Sequence, residues 1–207
     1  MATGDTKLSI CSDSLIMLGA SPLSSFSEGT DAAQICDRLY DDMLVQLLCK
    51  FPWSFTLKKS QLARLADAPA SEWTHAYALP ADLIGSGARA LFTSSTPGSS
   101  PQTDGWEVYA GQIFTDFTEV HIDYQFKPDE SVMPSYFVQL IKYYCCWHFA
   151  EAVTDQITKA QYWQSVAVGA PSENGRGGAF REAVNVDGTT SPSNNILDFA
   201  LIEARNS

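Results

Sequence analysis

The chain has 207 residues, 45 % of them hydrophobic and 18 % charged, which fits an ordered globular protein and excludes a disordered one. Thirteen basic residues against 24 acidic ones give a formal net charge of −11, which argues against a protein that grips nucleic acid through a basic footprint. That charge does suit a surface that DNA passes without sticking. The first ten residues, MATGDTKLSI, hold no basic stretch followed by an apolar run, so no secretory signal is expected.

Residues Thr6 to Leu18 place Leu8, Cys11, Leu15 and Leu18 on one helical face, with Gly19 positioned to cap the C-terminus. After the linker SPLSSFSEGT, Asp31 to Cys49 is the clearest amphipathic helix. Its stripe is Ile35, Cys36, Leu39, Tyr40, Met43, Leu44, Leu47 and Leu48. Thr30 or Asp31 can cap it and Pro52 stops it. Together the two form an αα-hairpin.

From Ser54 to Phe126 the texture becomes β. The segments THAYAL (74–79), ALFTSS (90–95), WEVYAG (106–111), QIFTD (112–116) and EVHIDYQF (119–126) are short and rich in β-branched and aromatic residues. Turn-forming clusters separate them, which predicts a meander. STPGSSPQTDG (95–105) reads as a polar hairpin tip or loop and Ala110-Gly111 as a tighter turn. Val120, Ile122 and Tyr124 alternate with Glu119, His121 and Asp123, so one face should be buried and the other wet.

Pro134 to Thr154 is apolar nearly all round, and such a helix must be wrapped by other elements. Gln139, Lys142, His148 and Glu151 interrupt it, which argues against a membrane span. Asp155 to Val168 carries Ile157, Ala160, Trp163 and Ala167 on one side. GAPSENGRGG then breaks the pattern, and Ala179 to Val186 reads as a short final helix ending before Gly188. The expected class is α+β. It consists of an antiparallel helical bundle (1–53 and 128–187), an inserted small antiparallel β domain (54–127) and an extended C-terminal arm (188–207). That arm holds Ile196, Leu197, Phe199, Leu201 and Ile202, too apolar for a free terminus, and so is read as an assembly arm.

Four constellations invite a chemical reading. Cys145, Cys146 and His148 lack the spacing of a zinc site, since adjacent helical residues point about 100° apart. The five cysteines are odd in number and mostly lie in apolar stripes, so buried thiols made in a reducing cytosol are expected. Glu119, His121 and Asp123 share a strand face and could hold a metal or relay a proton, although a polar outer face is the simpler reading. Gly175, Gly177 and Gly178 with Arg176 imitate a phosphate loop, but no Gly-Lys-Ser/Thr follows a strand. Asp41-Asp42 reads as a solvated helix face. These residues predict no catalytic set, no cofactor and no metal, hence no enzyme.

LGASPLSSFSEGTDAAQICDRLYDDMLVQLLCKFPWSF (18–55), YALPADLI (77–84) and YWQSVAVGAPSENGRGGAFREA (162–183), taken in order, resemble the head-to-tail adaptor (tail tubular protein A-like) family of tailed bacteriophages. The resemblance is strongest over 7–57 and 134–186 and rests on packing and turn residues. It implies a helical bundle with an inserted β domain. It also implies a ring, commonly of twelve copies, between the portal protein and the tail nozzle or tail tube protein. Genomic DNA would pass through that ring without sequence-specific binding, and no membrane is involved. The implied location is the virion head–tail interface, after synthesis in the host bacterial cytoplasm. Family members' C-terminal segments act as docking arms, which matches Ile196 to Ile202. The GAPSENGRGG insert departs from the family, since some members have one uninterrupted helix there. A tail-associated cell-wall hydrolase and a small ligand-binding α+β module are the alternatives. No residue set here carries over the first of these.

Overall fold

Thr6 fixes where the first helix begins. Its hydroxyl accepts from Ser9 N–H at 3.2 Å while Ser9 Oγ accepts from Thr6 N–H at 2.9 Å, a reciprocal cap that satisfies two otherwise orphaned donors. Helix α1 then runs Lys7–Leu18 and ends on Gly19 in the left-handed conformation, at φ 80°. Helix α2 is Asp31–Cys49, capped by Thr30. The computed structural model describes residues 4–67, 69–85 and 87–190. Helices α3 (Ser135–Thr154), α4 (Ile157–Val168) and α5 (Gly178–Thr190) complete the bundle.

Helix α3 is the axis of this bundle, packed by α1, α2, α4 and α5. Phe137, Leu140, Ile141, Cys145, Cys146, Phe149 and Ala150 are fully buried along it, from faces that together surround the helix. Its charge is accommodated at the rim, where Lys142 Nζ reaches Asp13 Oδ2 at 2.7 Å. Among the described residues no helix is long and apolar enough to cross a membrane. Ser14, buried on α1, returns its hydroxyl to the Ile10 carbonyl at 2.7 Å. A close helix contact is thereby made without an unsatisfied group.

Among the described residues the β region holds six strands: β1 (Leu57–Gln61), β2 (His75–Ala78), β3 (Ala90–Phe92), β4 (Trp106–Tyr109), β5 (Gln112–Thr115) and β6 (His121–Gln125). They form two antiparallel sheets, in the orders β1-β6-β3 and β2-β5-β4. The fold class is therefore α+β. A meander is not what forms, because β4–β5 is the one sequential pair that meets. Its turn, Ala110-Gly111, has φ of 48° and 74°, the positive pair that a two-residue hairpin demands. Residues 95–105 turn the chain back on β3, where Gln102 N–H donates to the Leu91 carbonyl at 2.7 Å, and then lead to β4 in the other sheet.

Strand β1 has no counterpart in the sequence reading. Its residues LKKSQ are almost all exposed, because it is an edge strand, and lysines on an edge discourage pairing with another chain. The two sheets share an apolar cluster of Leu62, Tyr77, Leu91, Ile113, Val120, Ile122 and Tyr124, separate from the bundle's. Gln125 joins the two parts. Its Nε2 is 2.9 Å from the Phe51 carbonyl, 3.1 Å from Thr56 Oγ1 and 3.3 Å from the Leu48 carbonyl.

Helix α5 continues through Gly188 to Thr190 rather than stopping at Val186. A glycine inside a helix costs about 1 kcal/mol relative to alanine, which weakens a helix without ending it. The arm residues Ile196, Leu197, Phe199, Leu201 and Ile202 lie outside the described residues. On α2, Leu39 is at the edge of the stripe and partly exposed, while Ile157 on α4 faces outward and is 59 % exposed.

Candidate functional site

The outer face of β6 answers the carboxylate–imidazole question. Val120, Ile122 and Tyr124 are buried as the alternation requires, but His121 is buried too. Strand β6 is central, so His121 is flanked by Gln61 of β1 and Phe92 of β3 in register. Its Nε2 lies 2.8 Å from Glu119 Oε1, which also accepts from Gln61 Nε2 at 3.2 Å. Asp123 is engaged separately, with Lys59 Nζ 3.4 Å from its Oδ1, and that lysine sits 3.8 Å above the Phe92 ring. The three side chains therefore divide between different partners. Among the described residues no group of three or more His, Cys, Asp or Glu could hold a metal ion. A shallow dish of about 400 Å³ beside Asp123 is lined by Leu57, Lys58, Lys59, Arg89 and Ala90.

Cys145 and Cys146 are fully buried and free, as are Cys11 and Cys36, while Cys49 is exposed. Cys146 Sγ donates to the Ser14 carbonyl at 3.4 Å. Burial pushes the Cys146 thiol up to about 12 and the Cys145 thiol well above its ordinary range, so neither supplies a thiolate at neutral pH. His148 packs its ring 4.3 Å from Trp147 and 4.7 Å from Tyr144. Its buried Nε2 has no hydrogen-bond partner. Burial, and after it the Lys50 ammonium, holds this imidazole below the usual value. The folded chain therefore resists a proton that the unfolded chain takes up below about pH 6.5. Stability is present in full above that pH and declines as pH falls through the lower folded value. Urea denaturation across pH 7 to 5 should show this slope, and His148→Phe should flatten it.

The glycine loop is already full. Glu173 folds back so that its Oε2 accepts from Ala170 N–H at 2.9 Å, and Gly177 N–H donates to the Val168 carbonyl at 2.8 Å. A Cβ at Gly177 would stand 2.2 Å from Glu173 Oε2, and one at Gly178 2.5 Å from the Val166 carbonyl oxygen. The protein's own carboxylate lies against Gly177, Gly178 is pressed against the α4 backbone, and the loop serves to join α4 to α5. Asp41 is likewise more than a solvated face. Its carboxylate binds Lys7 at 3.0 Å and Lys127 at 2.5 Å, tying α1 and the chain leaving β6 to α2. Lys127 first, then Lys7, holds its pKa below the ordinary range.

Asp187, one turn before the end of α5, was not singled out by any motif. It is buried and accepts from Ser54 N–H at 2.9 Å, Ser54 Oγ at 2.7 Å and Tyr136 Oη at 2.5 Å. These bonds fasten the last helix to α3 and to the point where the β region leaves the bundle. On the same side of α5, toward its start, lies a groove of about 330 Å³. Phe51, Pro52, Phe180 and Val184 make its apolar lining, and Lys50, Arg176 and Arg181 make its charged one. The sequence clue to both was weak: an acid near a helix C-terminus, and three cations drawn from distant segments.

No family model matches the chain, and no curated protein matches it. Among solved structures it is similar to a chain from a structure described as the neck of an empty GTA particle computed with C6 symmetry. The identity is 13 % over 79 % of this chain and 94 % of that one, with a TM-score of 0.28. A likeness at that score carries no weight for function.

Proposed function

We propose that the protein is a virion structural component, a head-to-tail adaptor whose ring joins a portal to the tail and forms part of the DNA conduit. The observation that carries this reading is sequence-borne. Ile196, Leu197, Phe199, Leu201 and Ile202 follow a polar linker at the end of a chain whose phrases match the adaptor family in order. The anchoring supports it. Asp187 holds the last helix to α3 three residues before that helix ends, which gives an assembly arm a firm root.

In this reading the bundle (1–53 and 128–187) packs laterally and the β insert (54–127) contacts neighbours or the tail protein. Ile16, Met17, Ile157 and Tyr162 are exposed on α1 and α4 and offer apolar surface for lateral contacts. The net charge of −11 keeps phosphates from binding as DNA passes. Ordering an arm costs about 1–2 kcal/mol of backbone entropy per residue, so docking is favoured where a portal pre-arranges the sites. The test is to mix the protein with its portal and examine the particles by negative-stain microscopy. An added ring is expected. Portals that stay bare at micromolar protein would remove the proposal.

A further inference from the structure

Among the described residues, neither Lys50 nor Arg176 has a carboxylate partner, although the chain carries 24 acidic residues against 13 basic ones. Both line the groove between the end of α2 and the start of α5, whose apolar part is Phe51, Pro52, Phe180 and Val184. Arg181, the third cation, is paired with Glu173 at 2.8 Å. Lys50 reaches 5.0 Å above the Tyr144 ring. An apolar groove edged by unpaired cations in a strongly acidic protein fits a ligand that is itself apolar and acidic.

One stretch of the chain has that character. Residues 196–203, ILDFALIE, interleave large apolar side chains with Asp198 and Glu203 and contain no cation. We propose that this groove receives the segment Ile196–Glu203 of a second copy, Phe199 and its apolar neighbours meeting Phe180 and Val184 while Asp198 and Glu203 meet Lys50 and Arg176. The inference rests on the adaptor reading and names where the arm goes. A second groove, between α3 and α5, is a poorer fit, because Glu182 is its one charged lining residue and would repel the segment.

The adaptor reading favours a second copy over the same chain, since an arm seated on its own bundle joins nothing. From Phe180 to the end of α5 at Thr190 the helix carries the chain about 15 Å away from the groove. Residues 191–198 span about 27 Å when fully extended, so length alone lets Phe199 reach either groove, and the isotope pattern of the cross-links below separates the two. Groove and segment are different surfaces, so the contact is head-to-tail and closes into a ring when the rotation permits.

The test places p-benzoylphenylalanine at Phe199 in the full chain, with rings assembled on the portal from equal parts of ¹⁵N-labelled and unlabelled copies. Irradiation should cross-link position 199 to peptides containing Lys50–Pro52 or Arg176–Val184, with mixed-isotope products. Lys50→Glu with Arg176→Glu should lower that yield about tenfold, and adding Asp198→Lys with Glu203→Lys should restore it. Rings whose cross-links map elsewhere, or show a single isotope throughout, overturn this inference and leave the adaptor reading standing. Bare portals under the same microscope overturn both.

Discussion

Replacing Trp53 by alanine should cost about 3–5 kcal/mol of folding stability, the range for removing a large aromatic from a core that cannot close over the gap. The indole is fully buried. Its ring centroid lies 5.0 Å from Phe137, 5.1 Å from Phe51, 5.7 Å from Phe180 and 6.2 Å from Phe55, and Nε1 donates to the Leu47 carbonyl at 3.3 Å. Those rings come from α3, α5 and the segment joining α2 to β1, so their shared contact cannot be rebuilt by shifting one element. Urea unfolding followed by circular dichroism would measure the loss. A cost below about 1 kcal/mol would mean that the site collapses and that Trp53 is not the keystone of this corner.

The second large effect is expected at Asp187. Asp187→Asn keeps the size of the side chain but removes its charge and sets an amide donor against Ser54 or Tyr136, which are donors themselves. The amide oxygen can keep the two hydroxyl bonds made at Oδ1, but Ser54 N–H then faces the amide N–H. That loses a charge-assisted bond worth about 1.5–3 kcal/mol, so a loss of about 2–4 kcal/mol follows once the weakening of the other two is added. Tyr136→Phe alone should cost less, about 1–2 kcal/mol. The double variant should fall short of the sum, because both changes remove the same bond. Additive losses would show that the two side chains do not share the contact described.

The helices were legible because apolar residues recur along them, on one face of α2 at a period near 3.6 and nearly all round α3, and because their caps are local events. Thr6, Gly19 and Thr30 act within four residues of themselves. What was not legible depends on residues brought together from afar. Strand β1 hides behind Lys58, Lys59, Ser60 and Gln61, because an edge strand with little buried side chain leaves no apolar alternation to read. His121 looked wet by alternation, but β6 turned out to be a central strand, and its neighbours Gln61 and Phe92 cover both sides.

The glycine loop misled in an instructive way. Gly177 does mark a place where backbone passes close to an anion, but the anion is the carboxylate of Glu173, while Gly178 lies against the backbone at the end of α4. Gly188 was read as a stop, yet nothing within 4 Å would meet a Cβ there, and Asp187 beside it holds the helix in place. The cationic groove was invisible because Lys50 lies 126 positions before Arg176, and only the packing of α5 against the end of α2 joins them.

Whether the oily end of the chain is what seats the protein can be decided in one comparison. Ile196, Leu197, Phe199, Leu201 and Ile202 are changed together to serine in the full chain, and portal particles are scored for an added ring beside the unaltered protein. The account predicts rings for the unaltered chain and bare portals for the serine variant, with the same helical circular dichroism for both. Equal ring counts would contradict it.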